Sequence, residues 1–245
     1  MTTDLREFWV PRRGNRPEEY EDAFAADAEA GRFALADGAT ESSFAALWAQ
    51  LLVNDFVQNA ACDIDNWKAS LSALQEQWYA SVRRPSLSWN VEAKLEQGAF
   101  ATFLGVTMVR SPDGIPHWAA MAVGDTCLFH TRGSTLLRAF PLEQSNKFNN
   151  SPPLLGSRMS PEAIQKTPAL HLHGDGLADD RLWMMTDALV QWCLMEHEGG
   201  RDPWGEIDSI LAQPEPQRRF AAWIDELRFS RQLHNDDVTL LLIIL

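Results

Sequence analysis

The sequence predicts an α+β fold in which antiparallel sheet is layered with helices. Three observations carry that expectation. Two amphipathic helical patterns follow one another: Phe44, Leu47, Trp48, Leu51 and Leu52, extended by Phe56, and then Trp67, Leu71, Leu74 and Trp78. From Gly98 the pattern changes to short apolar runs joined by tight turns, and strands on such short connections pair antiparallel. The chain closes with the apolar run Val238 to Leu245, which has the length of a strand.

In order along the chain, residues 8–20 are rich in turn formers, with Pro11, Gly14 and Pro17 interrupting any helix. The stretch Tyr20 to Ala25 then reads as one arm of a hairpin, with Asp27–Gly31 as its turn and Phe33–Ala36 as its second arm. The first arm begins with two acids, Glu21 and Asp22. The second delivers Asp37 to its tip, turns at Gly38, and leads into a helix expected from Ser42 or Ser43. The tryptophans of both amphipathic helices read as core. Ala99 to Val109 reads as a strand with Pro112-Asp113-Gly114 as its turn, and His117–Val123 and Cys127–His130 flank Gly124-Asp125-Thr126. Thr135–Ala139 adds a short strand. Residues 141–169 carry Pro141, Pro152, Pro153, Pro161 and Pro168, and a long irregular segment of this kind is expected to be either a flap over a site or disordered. Leu182–Thr186 reads as a buried strand ending at Asp187, with a helix behind it over Leu189–Glu196. Two short helices follow, around Trp204–Leu211 and Gln217–Leu227. With no internal repeat and no linker, residues 1–245 are expected to form a single domain.

Composition narrows the function classes. The net charge is -13 and the sequence pI about 4.8. That argues against nucleic acid or an anionic membrane as partner, since both need a basic face. Cys62, Cys127 and Cys193 lie far apart with no CxxC pair, so neither a disulfide framework nor a zinc site is expected; they read as small buried hydrophobes in a reducing compartment. Met1 to Arg6 has no signal-peptide character and no apolar run reaches membrane-spanning length, so the expected location is the cytoplasm. There is no GxSxG elbow and no GxxxxGK[ST] loop.

Five acids stand beside strands: Asp22, Asp37, Asp125, Asp187 and Asp236. Antiparallel strands packed into one sandwich can bring such tips to one edge. Like charges about 4 Å apart repel by roughly 4 kcal/mol at an effective dielectric near 20. A cluster of them persists only when protonated or bridged by cations, and all-oxygen donors select Mg²⁺ or Mn²⁺ over zinc. Two such ions sharing a bridging carboxylate can activate water and clamp a phosphoryl group for in-line displacement. The residues therefore point to a binuclear metallohydrolase acting on phosphate esters.

Six fragments then carry a specific resemblance: Tyr20–Phe24, Phe33–Ala39, Gly98–Gly105, Ala122–Thr126, Met184–Leu189 and Asn235–Leu241. In this order they resemble the motif series of the type 2C (PPM) metal-dependent serine/threonine protein phosphatases, in their bacterial form, from residue 20 to the C-terminus. The resemblance implies a four-layer αββα sandwich with two central antiparallel sheets. It implies two or three Mn²⁺ or Mg²⁺ ions and a phosphoserine or phosphothreonine protein as substrate, with a monomer expected. Asp37 would bridge the ions and the Gly38 carbonyl complete one site. Asp187 and Asp236 would hold the other, and with Asp37 they form the catalytic set. Glu21 and Asp22 would support the metals through bound water, and Asp125 matches the aspartate of a third, weaker site. Ala39-Thr40-Glu41 stands where many members have a histidine, and Ala188 where glycine is usual. The phosphate-binding arginine of the family falls one residue from Arg16, with Arg12 and Arg13 as rivals.

Other tempting residues are weaker. His171 and His173 share one face of an expected strand but lack a partner motif, and His197 has no HExxH context. His234 lies close enough to Asp236 in sequence to act on protons there. Two further readings belong to the same fold: a module without turnover that binds or regulates, and a phosphohydrolase for small molecules.

Overall fold

The first strand, β1 (Asp4–Val10), opens a chain whose computed structural model describes residues 4–40, 42, 44–59, 64–83, 95–112, 114–148 and 151–245. The hairpin β2 (Ala23–Asp27) and β3 (Arg32–Ala36) follows, then helices α1 (Ala45–Asn59) and α2 (Ile64–Val82). Next come β4 (Phe100–Ala101), β5 (Phe103–Arg110), β6 (Pro116–Val123), β7 (Cys127–Arg132) and β8 (Thr135–Phe140). After β9 (Leu155–Gly156), α3 (Pro161–Lys166) and β10 (Leu170–Asp175), the chain runs through β11 (Arg181–Met185), α4 (Asp187–Glu198), α5 (Pro203–Leu211), α6 (Pro216–Phe229) and β12 (Val238–Ile244).

Two antiparallel sheets result, one ordered β1-β12-β11-β7-β8 and the other β10-β6-β5-β3-β2. Their side chains alternate between two faces, as the period of a strand requires. On β12, Val238, Leu240 and Leu242 pack against α4, α5 and α6, in a cluster that includes Trp192, Trp204, Phe220 and Ile224. Leu241 and Ile243 point the other way, into a core shared with Phe33, Leu35, Leu104, Val106, Leu128 and Met184 from both sheets. On β3, Ala34 and Ala36 face a third cluster, with Trp48, Phe56, Trp67, Leu71 and Trp78 of α1 and α2. The layers are therefore helix, sheet, sheet, helix, the four-layer αββα sandwich expected. Small residues bring α1 down onto its sheet: a Cβ on Gly105 would stand 2.6 Å from the Phe56 ring. Trp48, Trp78, Trp183 and Trp204 are fully buried. Truncating any one of them to alanine removes contacts worth about 3–5 kcal/mol.

Four local expectations are corrected. The turn-rich reading of residues 8–20 missed that β1 extends to Val10, because only Phe8 and Val10 of this edge strand are buried and its charged residues hide the pattern. Phe44 is not on the α1 face: it precedes the helix at φ 62 and is 42% exposed. The buried face is Ala45, Trp48, Ala49, Leu52, Val53 and Phe56, and the helix begins at Ala45 rather than Ser42; Ser43 lies outside the described residues. The single strand expected over Ala99–Val109 breaks at Thr102, where β4 leaves the sheet to pair with β9. Segment 141–169 is more ordered than an irregular loop, since it contains β9 and α3. It is fastened by Trp48 Nε1, which donates to the Leu155 carbonyl (2.9 Å), and by Gln75 Nε2, which donates to the Gly156 and Met159 carbonyls (2.9 Å each). Cys62, Glu41 and Asp113 lie outside the described residues.

Candidate active site

All the acids singled out by sequence leave their strands at one end of the sandwich. Ala23 pairs with Ala36, and continuing that register sets Asp22 opposite Asp37 and Glu21 opposite Gly38. In the facing sheet Met185 lies between Cys127 and Leu240, which brings the end of β11 and the starts of β7 and β12 together. Asp187, Asp125 and Asp236 flank those three strand ends. Alternation carries the inter-sheet face through Leu128, Met184 and Leu241 to Thr126, Thr186 and Thr239, all buried, as is Thr102 of the other sheet. These threonines close the apolar core with a hydroxyl layer. Thr102 and Thr126 share a hydrogen bond (2.6 Å), and the Thr186 hydroxyl accepts from the Thr239 amide (3.0 Å). Thr239 Oγ1 donates to Asp22 Oδ2 (2.5 Å) and in turn bonds the Tyr20 hydroxyl. The Asp37 amide donates to Thr102 Oγ1 (3.3 Å).

Gly38 is placed by close approach. A Cβ there would lie 2.6 Å from the Glu21 carbonyl oxygen. Gly38 bridges to Ala101 through bonds made by its neighbours: the Ala39 amide donates to the Phe100 carbonyl and the Thr102 amide to the Asp37 carbonyl, both 2.9 Å. In that pattern the N–H and carbonyl of Gly38 itself face away from β4.

The carboxylates burden one another. Burial, followed by the charges of Asp22, Asp187, Asp125 and Asp236, raises Asp37 well above the ordinary aspartate range. Asp22 is raised well above it too, by burial first and then by Asp237 and Asp187, against the relief of its Thr239 hydrogen bond. Burial, then Asp125 and Asp236, lifts Asp187 to about 7, and burial lifts Asp125 to about 6. Glu21 is raised by burial, opposed by a hydrogen bond from Thr40. Asp22 Oδ1 is buried with no hydrogen-bond partner among the described residues. Such a group takes up protons or cations.

The donor set is all oxygen, which fits a hard divalent cation, and the orphaned Asp22 oxygen adds an acceptor in need of a partner. As the side chains stand, no three His, Cys, Asp or Glu residues among those described are gathered into a ligating group. The fit to Mg²⁺ or Mn²⁺ thus rests on the donor chemistry and on the placing of the acids at one end.

No protein-family model and no curated protein matches the sequence. Solved structures do resemble the chain over its whole length. The catalytic domain of the serine/threonine protein phosphatase PstP, in complex with two manganese ions, is 18% identical at a TM-score of 0.58, covering 100% of this chain and 99% of that one. Stp1, a serine/threonine phosphatase from Staphylococcus aureus, is 12% identical at 0.64, covering 100% and 96%. The PPM Ser-Thr phosphatase MsPP from Mycobacterium smegmatis is 16% identical at 0.54, covering 100% and 97%. The fold is that of the PPM Ser/Thr phosphatases.

Around this acidic end, the structure sorts the remaining candidates. Arg16 is exposed, with its amide on Glu19 Oε2 (2.8 Å) and its Nε 3.5 Å from the same oxygen. Arg13 is exposed as well, its amide donating to Asn235 Oδ1 (2.9 Å). Arg12 is half-buried, its amide donates to Asp237 Oδ1 (2.6 Å), and its charge partly offsets the burial that raises Glu21. His234 is exposed. His171 and His173 lie on β10, in the edge of the β10-β6-β5-β3-β2 sheet, and His197 is exposed on α4. Cys127 and Cys193 are buried free thiols, as expected.

Sequence reasoning missed the residues that hold this end together. Asp237 Oδ1 accepts from the Arg12 amide (2.6 Å) and Oδ2 from the Glu21 amide (2.7 Å). Arg228, buried on α6, donates to the carbonyls of Pro11 and Asp236. One signal was available: Asp125-Thr126 and Thr186-Asp187 each set a threonine beside an acid at a strand end, which is where the hydroxyl layer lies.

Proposed function

We propose that the chain is a metal-dependent phosphoprotein phosphatase acting on phosphoserine or phosphothreonine. The observation that carries this reading is the gathering of Asp37, Asp187, Asp125, Asp236 and Asp22 at one end of a PPM-type sandwich, where the other four all raise Asp37. Asp37, Asp187 and Asp236 are the catalytic set and hold Mn²⁺ or Mg²⁺, with Asp125 toward a third ion. Such ions supply charge neutralisation and a water of lowered pKa to phosphate-ester hydrolysis. Glu21 and Asp22 support the set. The Tyr20 and Thr239 hydroxyls orient the Asp22 carboxylate from below. Gly38 gives its backbone room beside Glu21. Arg12 is assigned to the phosphate, because a guanidinium fork suits that group and Arg12 stands next to the acids; Arg16, paired with Glu19, is its alternative.

The test is hydrolysis of an aryl phosphate and of a phosphopeptide with added Mn²⁺. Asp37→Asn and Asp236→Asn should each lower kcat by about a hundredfold or more, the scale on which metal and electrostatic stabilisation acts. Arg12→Ala should raise KM about tenfold, while Arg16→Ala stays near wild type. Absence of wild-type hydrolysis, or full activity in Asp37→Asn, overturns the assignment. A second reading, a binding or regulatory module without turnover, draws on the acids not standing as a ligating group. Mn²⁺ calorimetry on the wild type separates the two, since tight binding without hydrolysis favours a sensor.

A further inference from the structure

We propose that Arg228 is a positioning residue of the acidic end, locking Asp236 to the loop that carries Arg12 so that a divalent cation can be held there. This rests on the metal-binding reading above. Arg228 sits in the last turn of α6 with its side chain only 2% exposed. Its Nη1 donates to the Pro11 carbonyl (3.0 Å), and its Nη2 to the Asp236 carbonyl (2.5 Å) and, more weakly, to the Val10 carbonyl (3.5 Å). One guanidinium thus ties together three pieces of chain far apart in sequence: the end of β1, the approach to β12, and α6. Asp237 makes the reciprocal tie with its two oxygens on the Arg12 and Glu21 amides. Between them, Arg228 and Asp237 fix Glu21, Asp236 and Arg12 relative to one another.

Two features argue that this is more than the favourable placing of a cation at a helix C-terminus. A buried guanidinium is costly to desolvate, and a well-packed apolar side chain of similar volume commonly serves stability as well or better. Here the compensation is incomplete. Among the described residues Nε has no partner, and the guanidinium's only carboxylate contact is Asp225, 59% exposed and 3.5 Å from Nη1. Arginine's planar fork is the feature this place uses, since its separate N–H groups reach carbonyls on both sides of the loop junction, which a single ammonium cannot do.

The experiment is calorimetric titration of the full chain with Mn²⁺, paired with metal-free melting curves. Arg228→Met leaves the Pro11, Val10 and Asp236 carbonyls without this donor and should melt a few degrees lower without metal, yet bind Mn²⁺ at least tenfold more weakly, with a smaller Mn²⁺-induced rise above its own metal-free Tm. Arg228→Lys, which keeps the charge but not the fork, should fall between the two and stands in if the methionine variant does not fold. Asp225→Ala should bind as wild type does, since the ion pair is not the tie. Wild-type Mn²⁺ affinity in Arg228→Met, or in Arg228→Lys where only that variant folds, overturns the positioning role alone. Failure of the wild type to bind Mn²⁺ overturns the metal reading, and this inference with it.

Discussion

The far end of the sandwich gives the sharpest stability prediction. Asp180 precedes β11, at the opposite end of that strand from Asp187, and is 1% exposed. Its Oδ1 accepts from Arg132 Nε (2.7 Å), and its Oδ2 accepts from Arg132 Nη2 (2.8 Å), the Leu177 amide (2.8 Å) and His130 Nε2 (3.1 Å). Burial would raise this carboxyl, but the donors, Arg132 foremost, overcome it and hold it at about 2, against an ordinary 3.8. At 1.36 kcal/mol per pH unit the gap corresponds to roughly 2.4 kcal/mol. Arg132 keeps half its side chain in solvent, so screening reduces that to about 1.5–2 kcal/mol. Because the folded value is depressed, this stability is present above the unfolded aspartate value and is lost as pH falls from about 4 toward 2. Asp180→Asn removes the charge and must turn its NH₂ against donors or give up one acceptor. It should cost about 2 kcal/mol at pH 7 and lower Tm by about 4–8 °C for a chain of this size. Thermal melts of both proteins from pH 7 to 3 measure this. A variant melting within a degree of wild type at pH 7, or a difference undiminished at pH 3, refutes the reasoning.

Two further outcomes follow from the packing around the acids and the 141–169 segment. Gly38→Ala places a Cβ 2.6 Å from the Glu21 carbonyl oxygen and 3.0 Å from the Ala45 Cβ, so backbone must move. About 1–3 kcal/mol of stability should be lost by denaturant titration, with Mn²⁺ binding weakened in parallel. Trp48→Phe leaves the buried Leu155 carbonyl without its indole donor, at a cost of about 1–3 kcal/mol. Limited proteolysis followed by mass spectrometry should show faster cleavage within 141–169 than in wild type.

What the sequence made legible follows from the range of the interactions involved. Helix faces such as Trp67, Leu71, Leu74 and Trp78 depend on spacing alone, and all four are buried as read. The gathering of Asp22, Asp37, Asp125, Asp187 and Asp236 was legible because each stands at a strand tip, and antiparallel strands return their tips to common ends. The layer order came from the family resemblance, since alternation tells two faces of a strand apart without saying what covers each. Strand β1 was hidden because Asp4, Arg6 and Glu7 break its apolar pattern. Arg228 and Asp237 were illegible for another reason: their partners, Val10 to Arg12 and Glu21, lie more than two hundred residues away in sequence. The exposed Phe44 shows the limit of periodicity at a helix start, where a left-handed residue turns its side chain outward.

The two ends of the sandwich differ in how their negative charge is balanced. At the Asp180 end the chain brings its own counter-ion, Arg132, and that balance is complete as soon as the chain folds. At the hydroxyl-capped end Asp22, Asp37, Asp125 and Asp187 are all raised by burial, so these carboxyls call for protons or for cations from solution. At neutral pH one end is thus balanced from within the chain, while the other depends on what it takes up. The apolar core between the sheets joins a self-balanced foot to a responsive head.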